Sequence, residues 1–258
     1  MTIWLAILLG LIQGLTEFLP VSSSGHLTFF EIAFGLNEGN VLFNILLHVA
    51  TLLALVIYFR KRILNIICNP LDKYVRMLLL SSIITTIIGI LIDHFVGAEG
   101  NLIVISVGFI ITAILLVCVN YFVKSKKYCA QDFSYKHAIV VGIIQGVAVL
   151  PGLSRSGCTL AGGVLCGAKQ KQAAEFSFLL SIPIILAGTA YEIFKGAKFG
   201  FSVSATDILP MCVGCIVAFV VALATLKIMM KLIEKNKWLW FAAYLLIFAC
   251  SILLYCSQ

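Results

Sequence analysis

Charged residues are scarce in this sequence. Only 11% of its 258 residues are Asp, Glu, Lys or Arg, whereas 62% are hydrophobic and the mean hydropathy is +1.11. A soluble domain carries about 25% charged residues because its surface must face water. The composition therefore excludes an ordinary soluble protein and indicates an integral membrane protein.

Two other features are missing. No Lys or Arg precedes the first apolar run, so the N-terminal segment is not expected to be a cleaved signal peptide. The nine cysteines contain no metal-binding motif, because Cys212 and Cys215 form a lone pair without a second Cys/His set. Most of the other cysteines lie in apolar segments, where thiols behave as small hydrophobic groups. A zinc site is therefore not expected.

Six uncharged runs have the composition of membrane spans. A full span takes about 20 apolar residues, so the two shortest runs need a few residues from their flanks. The predicted spans are residues 41–59, 77–92, 101–123, 176–191, 208–226 and 238–258. They predict an all-α protein with six transmembrane helices.

Two further apolar stretches, residues 1–34 and 138–168, are interrupted by Pro, Gly and Ser. The interruptions read "FLPVSSSGH" and "LPGLSRSG", and each flanking half is too short to cross a bilayer. Irregular backbone at membrane depth is tolerated only where it is buried in protein or lines a cavity. Both stretches are therefore predicted to be re-entrant helical hairpins.

Net charge separates the connecting segments into two sets. Four segments carry +4, +3, +1 and +3, namely residues 60–76, 124–137, 169–175 and 227–237. Three others carry −2, −2 and 0, namely residues 31–38, 93–99 and 192–207. If both hairpins return to their side of entry, the positive-inside rule places the basic set in the cytoplasm and the N-terminus outside. Topology then explains the net charge of +7, and no nucleic-acid partner is expected.

The two interrupted stretches are related to each other. "GLIQGLTEFLPVSSSG" (10–25) aligns with "GIIQGVAVLPGLSRSG" (142–157) at an offset of 132, and the same offset superimposes the spans. Three spans and one hairpin per copy make the copies inverted in the membrane. The sequence therefore predicts one membrane domain, residues 1–258, built from inverted repeats at about 1–127 and 133–258.

Glu17 and Arg155 are the two fully charged residues within the predicted membrane interior. Each costs about 2.5–3.5 kcal/mol at the bilayer centre even on the milder scale, which favours a functional role. They lie in opposite copies of the repeat, and opposed hairpins would bring them to one site near the midplane. A purely structural ion pair is the alternative, although buried ion pairs do not reliably stabilise a fold.

The neighbouring residues are typical of an anion site. Gln13 and Glu17 share one helical face, and short hydroxyl residues and a glycine follow each proline at the start of a new helix. Free N–H groups at a helix N-terminus bind oxyanions, and the guanidinium of Arg155 suits a phosphate. The predicted phosphate-binding residues are Gln13, Ser22, Ser24, Gly25, Ser154, Ser156 and Thr159.

His26 is the candidate that adds catalysis. An imidazole can attack phosphorus, or it can take a proton from a serine or from water. Glu17 and three serines precede His26 closely, whereas His48 lies within a predicted span without such neighbours and is not included.

At these residues the sequence resembles the undecaprenyl-pyrophosphate phosphatases of the bacitracin-resistance type. "QGLTEFLPVSSSGH" and "PGLSRSGCT" resemble the two signature motifs of that family, and "EFSFLLSIP" (175–183) is similar to a further segment. The resemblance implies hydrolysis of undecaprenyl diphosphate to the monophosphate and phosphate, which recycles the lipid carrier of bacterial cell-wall synthesis. It also implies a plasma-membrane location, a divalent cation (Mg²⁺ or Ca²⁺) and contact with membrane lipids.

Carried over by position, the resemblance assigns catalytic roles to His26, Glu17, Arg155 and Ser23. The family's (E/Q)-x-x-x-E motif falls on Gln13 and Glu17, so Glu17 is the only full carboxylate there that would hold a metal. The substrate's phosphates would then supply other ligands, as is common for Mg²⁺.

Several alternatives stay open at this level. His26 attacks phosphorus, or it activates Ser23 or water, while Glu17 orients His26 or holds the cation. The prenyl tail is expected in grooves between the halves, and the pocket is expected to open outside. Paired broken helices also occur in secondary transporters, so transport of a prenyl phosphate or an ion is the second hypothesis. A homodimer is the candidate assembly.

Overall fold

The computed structural model describes residues 1–36, 41–96, 101–126, 128–199 and 205–257. Within these ranges the chain forms eleven helices and no strand. In chain order they are α1 (Ile3–Thr16), α2 (Ser23–Ala33), α3 (Val41–Tyr58), α4 (Arg60–Cys68), α5 (Lys73–Val96), α6 (Leu102–Lys124), α7 (Tyr135–Val147), α8 (Arg155–Leu165), α9 (Gln170–Phe199), α10 (Ala205–Glu234) and α11 (Trp238–Cys256).

Six of these helices, α3, α5, α6, α9, α10 and α11, are long and apolar enough to cross a membrane. The prediction of an all-α protein with six membrane helices is confirmed. Three helices, α5, α9 and α10, begin before the apolar runs that predicted them. Their first residues include polar ones such as Lys73 and Gln170. A polar or charged residue ends an apolar run without ending a helix, since Lys and Gln are good helix formers.

The two interrupted stretches each form a pair of short helices. Residues 17–22 separate α1 from α2, and residues 148–154 separate α7 from α8. We call these segments the first and second breaks. Each break contains a proline, which cannot donate a backbone hydrogen bond to a helix. The helix–break–helix arrangement is as predicted, whereas re-entry of each pair into the bilayer stays a prediction.

Glycines allow the broken helices to pack closely on long ones. α1 packs on α10 and α7 packs on α5, and these pairs correspond to each other under the offset of 132. A methyl group at Gly10 would collide with the backbone of Gly214, and one at Gly142 would lie 2.9 Å from the carbonyl oxygen of Ser81. Small residues are what permit such close approach of membrane helices. The inverted repeat itself stays a prediction.

The first break touches the start of α8 inside the helix bundle. The hydroxyl of Ser156 donates a hydrogen bond to the carbonyl oxygen of Leu19 at 3.0 Å. A Cβ at Gly157 would lie 3.0 Å from Cβ of Pro20, so a larger residue would crowd the contact between α8 and the first break. The fold thereby brings the polar residues of two distant sequence segments to one place.

We predict that Gly10→Ala destabilises the fold by about 1–3 kcal/mol, since the added methyl overpacks the contact between α1 and α10. The thermal midpoint of the detergent-purified variant measures this. Gly188→Ala is the matched control, because its methyl would meet no described atom within 4 Å. An equal fall in both variants would contradict the assignment of Gly10 to a tight helix contact.

Candidate active site

Glu17 is the centre of the site. It caps the C-terminus of α1, and none of its side chain is exposed. Its Oε1 accepts from the guanidinium of Arg155, and its Oε2 accepts from Ser23 Oγ at 2.6 Å and Gln13 Nε2 at 3.0 Å. Both carboxylate oxygens therefore accept hydrogen bonds, from the first residues of α2 and α8 and from α1.

Two helices begin at this carboxylate. Ser23 is the first residue of α2 and Arg155 is the first residue of α8. The hydroxyls of Ser22 and Ser154 cap these helices by accepting from the N–H groups of Gly25 and Gly157 at 3.4 and 3.0 Å. Other N–H groups of a first turn have no partner within the helix, which makes a helix N-terminus a binding site for anions.

Ser22 has an unusual backbone conformation. Its φ is +66°, in the region that non-glycine residues rarely adopt. Such a conformation costs about 1–3 kcal/mol and persists only where the surrounding structure holds it. The Nδ1–H of His26 donates to the Ser22 carbonyl oxygen at 2.8 Å, and this bond helps to hold the turn that presents Ser23.

His26 is buried among aromatic side chains. Its ring stacks on Phe248 and on Tyr244, with ring centroids 4.3 and 5.6 Å away. Since Nδ1 donates to a carbonyl, Nε2 accepts the hydroxyl of Tyr244, at 2.7 Å. Both ring nitrogens are therefore engaged, by Ser22 of the first break and by Tyr244 of α11.

A cavity of about 490 Å³ lies against Glu17 and Ser23. The first residues of α2 and α8 give it a polar part, and apolar residues such as Val149 and Ile184 form much of the remainder. The cavity extends along α3 and α9 as far as Val41 and Glu192. A polar end beside an apolar wall matches an amphipathic ligand with an anionic head.

Most of the predicted site residues meet here. Those that line the cavity are Glu17, Ser22, Ser23, Ser24, Ser154, Arg155 and Ser156, and Gln13 contacts Glu17 behind them. Gly25, His26 and Thr159 are not among the described lining residues. Gly25 packs against the ring of Phe109, and Thr159 donates to the carbonyl oxygen of Arg155 at 2.8 Å.

The cavity also contains residues that the sequence analysis missed. They include His48 and Asn44 of α3, Gln145 of α7, and Thr189, Tyr191 and Glu192 of α9. His48 carried one signal in the sequence, since it is a polar residue in the middle of a predicted span. The others have no local pattern that would have identified them.

Metal ligands are few at this site. In the part of the chain that the structure describes, no group of three His, Cys, Asp or Glu residues is placed to hold an ion. Both oxygens of Glu17 already accept hydrogen bonds. These residues alone do not fit a resident divalent cation.

Comparisons with known proteins identify one family of similar sequences. A family model described as "Bacitracin resistance protein BacA" matches residues 6–251. An undecaprenyl-diphosphatase of Carboxydothermus hydrogenoformans is 37% identical over 251 residues, covering 96% of this chain and 95% of the relative. Another from Treponema denticola is 38% identical over 260 residues, covering 95% and 94%. A third, from Christiangramia forsetii, is 36% identical over 256 residues, covering 95% and 94%.

We predict that Arg155→Met destabilises the fold by about 3–5 kcal/mol, because it leaves the buried Glu17 carboxylate unpaired. The double variant Glu17→Leu/Arg155→Met should recover most of this loss, since it removes both charges. Thermal midpoints in detergent measure both effects.

Lys169→Met is the control for these melts, because it breaks an ion pair with Asp132 that lies at the surface, and its midpoint should not change. A double variant no more stable than Arg155→Met would contradict the role of Arg155 as the partner of a buried charge.

Proposed function

This chain belongs to the bacitracin resistance protein BacA family, and from that membership we propose that it hydrolyses undecaprenyl diphosphate to undecaprenyl phosphate and phosphate. The observation that carries the proposal is the Ser23–Glu17–Arg155 cluster at the polar end of the cavity. A hydroxyl, a carboxylate that takes its proton and a guanidinium for phosphate are the groups that phosphoryl transfer needs.

Ser23 is the proposed nucleophile. Its hydroxyl donates to Glu17 at 2.6 Å, it lines the cavity, and it starts α2. As Oγ attacks the terminal phosphorus, its proton passes to Glu17 Oε2, and the bond from phosphorus to the bridging oxygen breaks. Undecaprenyl phosphate leaves with that oxygen. Water then attacks the phosphoserine, Ser23 leaves with the proton held by Glu17, and the surplus proton of the water goes to solvent.

Arg155 and the two helix N-termini would stabilise the charge on the transferring phosphoryl group. A guanidinium has five N–H donors, so Arg155 can hold Glu17 and still present donors to a phosphate. N–H groups of the first turns of α2 and α8 would add fixed positive ends at the same place. These groups are in position before the substrate arrives, which is the condition for effective electrostatic stabilisation.

His26 is proposed to position Ser23 rather than to attack phosphorus. It holds the strained Ser22 turn through the Ser22 carbonyl, and its Nε2 is occupied by Tyr244. Direct attack would require the ring to leave its stack with Phe248. Of the three routes that the sequence left open, attack by Ser23 has the strongest geometric support.

A divalent cation, if the reaction uses one, is proposed to enter with the diphosphate. The phosphate oxygens are Mg²⁺ ligands in their own right, whereas Glu17 is saturated with hydrogen bonds.

The cavity is proposed to open on the outer side of the membrane. It reaches the start of α3 and Glu192 on α9, and the charge distribution assigns the neighbouring segments to the outside. The apolar wall of the cavity would guide the prenyl tail towards the lipid. The basic segments on the other side carry the positive charge expected of cytoplasmic loops.

We expect labelled substrate to leave acid-stable phosphoserine on Ser23, and Ser23→Ala to lower phosphate release on the order of 10⁴-fold or more. The assay is done with detergent-purified protein, in which transport cannot occur. Acid-labile phosphohistidine on His26 would overturn the assignment of Ser23. Normal phosphate release by Ser23→Ala would overturn it as well. Absence of any release by the unaltered chain would favour the transport hypothesis.

For orientation, we expect Ser24→Cys, in a background without the native cysteines, to react with a membrane-impermeant thiol reagent added outside. Ser24 is exposed and lines the cavity. A chain that keeps only Cys68, which is exposed on the predicted cytoplasmic side, is the control and should react only after permeabilisation. The opposite labelling pattern would reverse the proposed orientation.

A further inference from the structure

His48 lies beside the catalytic cluster, although it stands far from it in the sequence. Its Nδ1 is 3.0 Å from Gln13 Nε2 and 3.4 Å from Glu17 Oε2. About 31% of its side chain is exposed, and it lines the cavity that Ser23 also lines. The ring thus contacts Gln13 and Glu17 on one side and the space that the diphosphate would occupy on the other.

The hydrogen-bond network determines which ring nitrogen carries the hydrogen. Gln13 Nε2 is an amide nitrogen that can only donate, and its two hydrogens serve Glu17 Oε2 and His48 Nδ1. If Nδ1 carried a hydrogen, it would oppose another donor at 3.0 Å. If the amide were turned over, its oxygen would oppose the Glu17 carboxylate at the same distance. With hydrogen on Nε2, the closer contact, 3.0 Å between Gln13 Nε2 and His48 Nδ1, has one donor and one acceptor. Glu17 Oε2, 3.4 Å from Nδ1, then accepts from Gln13 and Ser23 and not from His48.

The exposed part of the ring is consequently a donor. Because Nδ1 lies against Gln13 and Glu17, the edge of the ring that remains for the cavity is the one that carries Nε2. No described residue forms a hydrogen bond with this nitrogen. The cavity therefore contains an N–H donor, and the hydrogen bond between Gln13 and Nδ1 fixes the orientation of its ring.

We propose that His48 binds the substrate, with its Nε2–H donating a hydrogen bond to a phosphate oxygen of the diphosphate. Gln13 favours the required tautomer because its amide N–H donates to Nδ1. A carboxylate at position 13 could only accept and would favour hydrogen on Nδ1 instead. The inference rests on the proposed function, since it requires a prenyl diphosphate in this cavity. His48 would bind the anion through the single N–H of Nε2, whereas Arg155 would bind it through a guanidinium with several N–H donors.

Three substitutions separate this role from a packing role. His48→Gln keeps an N–H donor near the position of Nε2. His48→Asn keeps an acceptor near Nδ1 for Gln13, but its amide is too short to replace Nε2. His48→Met has a similar length and no donor. A hydrogen bond to a charged group corresponds to about ten- to a hundredfold in affinity.

The measurement is the affinity for farnesyl diphosphate in detergent, in a Ser23→Ala background that cannot turn over. We expect His48→Gln to bind within about threefold of the parent, and His48→Asn and His48→Met to bind about tenfold or more weakly. His94→Asn is the matched control, since His94 is not among the described cavity residues. Thermal midpoints are measured for each variant. Either His48→Asn or His48→Met suffices for the test if it stays folded, because neither places an N–H donor at the position of Nε2.

The outcomes distinguish two failures. Suppose that the Ser23→Ala parent binds farnesyl diphosphate and that all three variants at position 48 bind it as tightly as the parent does. The inference about His48 is then wrong, and the proposed function stands. Equal weakening by Gln, Asn and Met would also overturn it, because the donor would then not be the cause. If the parent and the unaltered chain bind no prenyl diphosphate at all, the proposed function itself fails.

Discussion

The contact between Glu17 and Arg155 is the interaction on which the site depends. It joins the end of α1 to the start of α8, 138 residues apart in the sequence, and the carboxylate is fully buried. Either charge alone would be costly in a buried site, so the first break and the start of α8 are stable only when they face each other. Ser23 and Gln13 hold the same carboxylate and therefore take their positions from this pair.

The breaks make this arrangement useful for binding an anion. A continuous helix satisfies nearly all its N–H groups, whereas a chain that breaks and restarts presents the free N–H groups of a new first turn. Two such starts, α2 and α8, meet at the cavity. Glycines in α1, α7 and the second break let the backbones approach closely enough, and His26 holds the strained turn at Ser22 from the opposite side.

Much of the fold was predictable because an uncharged apolar run of about 20 residues is long enough to form a membrane-spanning helix. The six spans and both breaks are local patterns of residue type, and the error at the starts of α5, α9 and α10 arose because helices continue into polar residues. The meeting of Glu17 with Arg155 was predictable from their cost in a membrane. The position of His26 was not, since its ring is turned towards Tyr244 and Phe248 on α11, far away in the sequence. His48 was missed for the same reason, because its polar neighbours lie on another helix.

By itself the sequence determined the class of protein, the number of spans and the two polar breaks, since these depend on the hydropathy and backbone freedom of neighbouring residues. It also determined which charges had to find partners. Only the tertiary structure decided which side chains share the cavity, that Ser23 rather than His26 lies on it with Glu17, and that His48 contacts Gln13 there. Those properties depend on distances and hydrogen-bond directions between helices, and no local pattern in the chain specifies them.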